Sequence, residues 1–109
     1  MGDVQKRAWS SQCLMTDYGA STPLWVGSRN LSDLEPLHLR PHLVRSLFVW
    51  QHYFDEHFLH DQEPSWDNAV SRDWYAQEGV RLHECLRRAL PDIQVSVDLW
   101  PVTGQTPCC

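Results

Sequence analysis

The sequence predicts a small α+β domain in which a two-helix hairpin packs on one face of a short antiparallel or mixed sheet. Two patterns support this fold class: an apolar stripe with helical spacing over residues 41–58, and alternating apolar and polar residues over residues 93–99. Two further strands and a second helix complete the order strand, strand, helix, helix, strand. A length of 109 residues is typical of a single domain.

Two short strands are expected before the first helix. Residues 11–17 form the first candidate and end at Tyr18-Gly19. Residues 22–26 contain Pro23, which cannot donate to a ladder, and therefore fit a short edge strand or equally a loop. Residues 30–40 should cross the surface with four leucines directed inward. These are Leu31, Leu34, Leu37 and Leu39.

The first predicted helix, residues 41–58, has one strongly apolar face. Five side chains recur every three or four residues: Leu43, Leu47, Trp50, Phe54 and Phe58. At about 100° per residue they cover about one third of the helix circumference. Pro41 fits the first turn, where a missing N–H group is tolerated. Because burying each large side chain contributes about 1.5–3 kcal/mol, this face should form the centre of the core.

A second helix is predicted over residues 71–90, after an acidic loop over residues 60–70. Ser71 is the candidate N-cap and Asp73 suits the positive first turn. Arg87-Arg88 suits the negative last turn, and Pro91 ends the helix.

The inner face of this helix should contain two small residues that leave room for bulky neighbours. Its predicted members are Tyr75, Gly79, Leu82, Leu86, Ala89 and Leu90. Gly79 and Ala89 are expected to admit the rings of Trp50 and Phe54 from the first helix.

The last strand is predicted from a period of two residues. Ile93, Val95, Val97 and Leu99 alternate with Gln94, Ser96, Asp98 and Trp100, and Pro101 ends the pattern. This is typical of a strand with one buried face. We therefore predict a single domain over residues 11–101, a disordered N-terminal segment over residues 1–10 and a flexible tail over residues 102–109.

The charge balance argues against nucleic-acid and membrane binding. The formal net charge is −5, the isoelectric point is near 5.5, and Lys and Arg form no basic stripe. The sequence has no apolar run near the ~20 residues that a membrane span needs, and no apolar leader is recognised at the N-terminus. A soluble cytoplasmic protein is expected.

The cysteines show no spacing typical of a metal site. Cys13, Cys85, Cys108 and Cys109 include no Cys-x-x-Cys pair, and we expect them to be reduced. The terminal Cys108-Cys109 pair resembles the doubly prenylated ending of Rab-type small GTPases. Because the phosphate-binding loop of those proteins is absent from the sequence, a loose unmodified tail is expected.

One histidine pattern leaves a metal-dependent enzyme open as an alternative. His52, Glu56 and His60 follow one another at four-residue intervals, so one helix face could present two imidazoles and a carboxylate. A solvated helix face explains the same spacing. Zinc-protease, serine-hydrolase and dinucleotide-binding motifs are absent from the sequence. We therefore predict no cofactor and no catalytic residue.

The loop between the helices is the candidate protein-binding site. Trp66 is flanked by Asp61, Glu63 and Asp67, and tryptophan anchors surrounded by carboxylates are suited to a basic protein surface. Trp25 in the second strand is a further candidate contact, beside a strand edge that could recruit another chain. Alternatively, Trp66 covers the helical hairpin as part of the core.

Dispersed motifs over about residues 12–97 resemble a group of small uncharacterised bacterial proteins. The motifs are Cys13-Leu-Met-Thr-Asp-Tyr-Gly, Pro23-Leu-Trp25, Leu37-x-Leu-x-Pro41, Trp50-x-x-x-Phe54-Asp55 and Gln77-Glu78-Gly79 before Leu82. Some proteins of this kind look like the immunity or antitoxin partners of secreted toxins. The acidic composition and the tryptophan anchors favour a non-enzymatic interaction module, an immunity or antitoxin-like protein that binds and neutralises a basic partner. A structural subunit of a larger assembly is the alternative, beside the metal-dependent enzyme.

Overall fold

A computed structural model describes residues 11–59 and 64–104 of the chain. In chain order the elements are β1 (Ser11–Leu14), β2 (Leu24–Val26), β3 (Arg29–Asn30), a 3₁₀ turn (Glu35–Leu37), α1 (Pro41–His57), β4 (Phe58–Leu59), β5 (Ser65–Trp66), α2 (Ala69–Ala89), β6 (Gln94–Val97) and α3 (Trp100–Thr103). The predicted α+β class is confirmed: α1 and α2 accompany a four-stranded sheet of mixed direction.

The sheet has the strand order β3-β2-β1-β6. Strand β1 pairs antiparallel with β2 and parallel with β6, and the helical hairpin lies in the long connection that a parallel pair requires. Leu14 of β1 stands opposite Leu24 and Val97 in the two neighbouring strands. Leu14 and Leu24 are fully buried, so this face of the sheet forms one side of the core.

Strand β2 is internal, which corrects the prediction of an edge strand over residues 22–26. Pro23 precedes the first residue of the strand, Leu24, and therefore interrupts no ladder. The two-residue strand β3 pairs with the free side of β2 and forms the edge. The first strand ends at Leu14, three residues earlier than predicted, and the expected turn at Tyr18-Gly19 is present, with Gly19 at a φ of 68°.

The leucine-rich segment after β3 packs inward, as its spacing predicted. Leu31, Leu34 and Leu37 are buried and belong to the main core. Leu39 is half-buried against the same core. The 3₁₀ turn in this segment ends at His38, which has a left-handed φ of 53°. The leucines therefore hold an irregular segment against the start of α1.

The contact between α1 and α2 is centred on Trp50, which is fully buried. Its indole N–H donates to the carbonyl of Tyr75 at 3.0 Å, and the two rings stack with centroids 4.6 Å apart. A Cβ atom at Gly79 would lie 2.9 Å from the Trp50 ring. Gly79 therefore provides the room that the sequence predicted, whereas Ala89 is exposed and the prediction of an inward-facing Ala89 is wrong.

Helix α2 begins two residues earlier than predicted. Asn68 is the N-cap, and its side-chain oxygen accepts a hydrogen bond from the backbone N–H of Ser71 at 2.9 Å. The prediction of Ser71 as the cap is therefore wrong. Asn68, three residues before Ser71, satisfies an unpaired N–H group of the first turn as well as a serine would. Ser71 itself is buried within the helix.

Two short elements lie where no regular structure was predicted. Part of the expected loop between the helices forms the antiparallel ribbon of β4 and β5, in which Phe58 pairs with Trp66. After β6, Pro101 lies near the start of the short helix α3. The side chain of Asp98 accepts the Trp100 backbone N–H at 3.0 Å.

The cysteines differ in state. Cys85 is a free thiol and is half-buried against the core. Cys13 is disulfide-bonded, to a partner outside the described residues, which corrects the prediction of four reduced cysteines. A disulfide between distant parts of a chain leaves no spacing signature in the sequence.

The predictions for residues 1–10 and for the end of the tail, residues 105–109, lie outside the described residues. Within the described ranges, no helix is both long and apolar enough to cross a membrane.

Phe54→Asp is expected to abolish cooperative folding. Phe54 is fully buried among Phe58, Tyr75 and Trp100. The variant therefore loses about 3–5 kcal/mol of packing free energy, and it also buries a carboxyl group among aromatic rings. That loss approaches the total stability of a typical domain. Circular dichroism melting measures the effect. Phe48→Asp is the matched control, because Phe48 lies on the same helix and is 44% exposed; equal melting temperatures for the two variants would contradict the core assignment.

Candidate protein-binding site

The candidate site is built where the two long helices meet the β4–β5 ribbon. The backbone N–H of Asp67 donates to the carbonyl of His57 at 2.8 Å, so the last residue of α1 is held beside the approach to α2. We call the segment from Phe58 to Asp67, together with the adjacent ends of α1 and α2, the ribbon end of the hairpin. Asp61 and Glu63, two of the predicted contact residues, lie outside the described residues of this segment.

Trp66 covers the hairpin, as the alternative interpretation expected. Its indole N–H donates to the carbonyl of Pro101 at 2.9 Å, and its ring lies 4.8 Å from Tyr75 and 5.1 Å from Phe58. The side chain is half-buried, and part of it borders an open groove of about 530 Å³ that Arg72 also lines. Trp66 therefore has a structural role and a partly accessible ring.

Trp25 belongs to a different surface from Trp66. Leu24 faces the core, so Trp25 points to the opposite face of the sheet. Its indole N–H donates to the carbonyl of Met15 at 2.9 Å. Trp66 instead packs against Tyr75 of α2. A partner that touched both tryptophans would have to extend from one side of the domain to the other.

Asp67 forms an ion pair that closes the ribbon end. Its Oδ2 lies 2.6 Å from Nδ1 of His57, and the hydroxyl of Ser71 lies 3.4 Å from the same nitrogen. The hydrogen bond with His57, with a further one from Ser71, lowers the pKa of Asp67 below its ordinary value. The carboxylate is therefore ionised at neutral pH and is held in one orientation.

Trp74 differs from the other described tryptophans in the hydrogen bonding of its indole N–H group. Four of the five described tryptophans donate to a backbone carbonyl: Trp25, Trp50, Trp66 and Trp100. Trp74 makes no such bond within residues 11–59 and 64–104, and its side chain is 36% exposed. Its ring lies 4.2 Å from that of Tyr53 across the helix pair. Sequence reasoning overlooked Trp74, although its place beside the inward-facing Tyr75 predicts an outward direction.

Exposed valines extend this aromatic pair along both helices. Val49 lies one helical turn before Tyr53, and Val70 lies one turn before Trp74. Val49 is 49% exposed and Val70 is 77% exposed. We call these four side chains, Val49, Tyr53, Val70 and Trp74, the seam, because they lie along the outer line where α1 and α2 meet.

Charge is distributed unevenly along the hairpin. Residues 46–80 contain seven carboxylates and one arginine, Arg72, in a chain of net charge −5. At the opposite end of the hairpin, a groove between the start of α1 and the end of α2 is lined by Arg40, Arg81 and Arg88, of which Arg81 pairs with Glu78 and Arg88 with Glu84. The ribbon end is therefore the acidic pole of the hairpin.

The proposed metal ligands are only partly described. Nε2 of His52 and Oε1 of Glu56 form an exposed ion pair at 2.8 Å, and His60 lies outside the described residues. In the part of the chain that the structure describes, no group of three or more His, Cys, Asp or Glu side chains could hold a metal ion.

Most of the chain matches a single protein-family model. The family model described as Serratia CdiI immunity protein-like matches residues 12–98. The match includes both long helices, the ribbon and the predicted contact residues. No curated protein matches the chain.

Asp67→Asn is expected to lower the melting temperature near neutral pH. Because the folded-state pKa of Asp67 is depressed, its stabilising contribution is present above the unfolded-state pKa and disappears as the pH falls through the folded-state pKa. The difference in melting temperature between wild type and variant should therefore be largest near neutral pH and should narrow in acid, as the pH falls through the depressed folded-state pKa of Asp67.

Thermal melts followed by circular dichroism at several pH values measure this difference. Asp92→Asn is the control, because Asp92 is exposed and the described residues offer it no ion pair. A difference for Asp67→Asn that stays constant with pH would contradict an ionic origin.

Proposed function

We propose that this chain, which belongs to the Serratia CdiI immunity protein-like family, binds a basic protein toxin and neutralises it without catalysing a reaction. The family supports a protein-interaction role of the immunity type. The basic character of the partner and the surface that binds it are argued below from charge and exposure.

The acidic pole of the hairpin is the observation that favours a basic partner. Seven carboxylates against one arginine over residues 46–80 make this region more negative than the chain as a whole. Such a field accelerates the approach of a positively charged surface and orients it toward the ribbon end. The groove at the other end of the hairpin is lined by three arginines and has no comparable excess of carboxylates, so charge favours docking at the ribbon end.

The proposed contact residues are Trp66, Asp61, Glu63, Asp67 and Trp25. The accessible part of the Trp66 ring provides apolar area beside a groove, and Asp67 provides a carboxylate that stays ionised and fixed. Asp61 and Glu63 add charge to the same loop. Trp25 on the far face of the sheet would join the interface only with a partner that reaches around the domain.

Inhibition by this chain would work by covering the partner. An immunity protein that carries no chemistry of its own needs a rigid surface whose charge opposes that of the toxin. The hydrogen bonds from Trp66 to Pro101 and from Asp67 to His57 hold these two proposed contact residues in place.

A cytoplasmic location belongs to the same proposal. An oxidising compartment is the alternative location, because a disulfide such as that of Cys13 persists there, whereas cytosolic thiols are usually kept reduced. Fractionation of cells that produce the tagged protein distinguishes the two locations, and recovery outside the cytoplasmic fraction would contradict this part of the proposal.

We predict that the tagged protein, captured from its native source at moderate salt, retains one basic protein in equal amount. Mass spectrometry identifies the partner, and co-expression should restore growth to cells that produce it. The pair of substitutions Asp61→Asn and Glu63→Gln should slow association about threefold or more at low salt, with a smaller effect at high salt, because long-range charge attraction acts mainly on the association rate and is screened by salt.

Asp92→Asn is the matched control, since Asp92 is an exposed carboxylate at the opposite end of α2. Trp66→Ala is a poorer test, because this substitution also removes the hydrogen bond to Pro101. A partner of neutral or acidic charge, or an equal effect of Asp92→Asn, would contradict the proposal.

A further inference from the structure

We infer that the seam is the anchoring surface for the basic partner and that Trp74 is its central contact. This inference rests on the proposed function, because it names the side chains that would bind the same toxin. It adds a site that differs from the predicted contact residues: the outer line between α1 and α2 instead of the ribbon loop.

Trp74 is available for binding in a way that the other described tryptophans are not. The other four each use the indole N–H to hold a backbone carbonyl within the fold: Trp25, Trp50, Trp66 and Trp100. The N–H of Trp74 has no such partner within the described residues, and 36% of the side chain is exposed. A free donor beside a large apolar ring can bond a partner carbonyl while the ring buries area against it.

The Trp74 ring is also held in place before any partner arrives. It packs on Tyr53 at 4.2 Å, and Tyr53 packs on His57 at 4.1 Å. His57 is fixed in turn by Asp67 at 2.6 Å. A side chain ordered in advance loses little conformational entropy on binding, which is a general property of strong interface anchors.

The valines of the seam favour a protein partner. Val70 is 77% exposed and Val49 is 49% exposed, on two helices whose other faces form the core. Together with Tyr53 and Trp74 they make an apolar strip surrounded by charged side chains. An apolar centre with a polar rim is the usual composition of a protein interface.

The charged residues around the seam indicate which kind of partner it binds. Asp73 and Glu78 lie on α2 beside and one turn after Trp74, and the Asp67 carboxylate stands at the end of the strip. Both oxygens of Glu78 are held by Arg81 at 2.6 Å, whereas Asp73 pairs with Arg72 at 3.3 Å and is 61% exposed. Asp73 and Asp67 are therefore the carboxylates that a partner cation can reach. An Arg or Lys side chain of the partner would find both a carboxylate rim and an aromatic face that attracts cations. We therefore assign the seam to a basic surface of the toxin.

The test compares Trp74→Ala with Phe48→Ala in binding to the basic protein recovered by the capture experiment. Phe48 is 44% exposed and lies about 140° around α1 from Tyr53, so it is an exposed aromatic residue outside the seam. Calorimetric titration should show a Kd raised about 30-fold or more for Trp74→Ala and within about threefold of wild type for Phe48→Ala. Trp74→Phe, which keeps a ring and loses the donor, should give an intermediate Kd.

Circular dichroism melts of each variant show whether the fold is kept, which is expected because Trp74 lies outside the main core. Light scattering at several concentrations measures self-association. An unchanged Kd for Trp74→Ala, with wild type bound, would overturn the seam and leave the proposed function standing. Capture of no basic protein would overturn both.

A second copy of the chain is the competing occupant, because the groove that contains Arg40 could face the acidic pole of its neighbour. Self-association that Trp74→Ala abolishes, combined with unchanged toxin binding, would identify the second copy as the occupant and overturn the assignment to the toxin.

Discussion

The arrangement of the domain depends on one contact, the insertion of Trp50 of α1 against α2. The indole N–H donates to the carbonyl of Tyr75, and the ring lies against Gly79, where any Cβ atom would come within 2.9 Å of it. The hydrogen bond sets the position of α1 along α2, and the missing side chain at Gly79 sets their separation. Because both helices are located by this contact, it also determines which residues remain on the outer line between them.

The same turn of α2 connects the hairpin to the sheet. The hydroxyl of the buried Tyr75 lies 2.6 Å from that of Thr16, which follows β1. Burial raises the pKa of Tyr75 well above its ordinary value, so the hydroxyl keeps its proton at any physiological pH. Trp100 adds a second connection through its N–H bond to the carbonyl of Thr16. Sheet, hairpin and α3 thus converge on one short stretch of backbone.

This construction has a consequence for an immunity-type protein. The rings of Phe54, Phe58 and Trp66 pack against one another at the ribbon end, so most of this aromatic area is used within the fold. The exposed strip at Trp74 lies beside the acidic pole and shares the His57–Asp67 ion pair with it. The acidic pole and the apolar strip therefore adjoin each other. In the proposed complex, the charge of the pole would accelerate association and the apolar contact of the strip would slow dissociation.

The sequence by itself determined the long elements and the main packing contact. The stripe through Leu47, Trp50 and Phe54 is long enough for its period to be read, and so is the alternation around Val95. Gly79 in the predicted inner face was sufficient to locate the close approach of the helices, because only glycine leaves that room. The acidic character of the region between the helices could also be counted directly.

Only the tertiary structure decided the short elements and the roles of individual tryptophans. Strands of two residues, such as β3 and β4, contain no measurable period. Whether an indole N–H is free depends on carbonyls that lie 84 residues away for Trp100 and 35 for Trp66. Sequence spacing carries no information about such distant partners, so Trp66 was predicted as the anchor and Trp74 was overlooked.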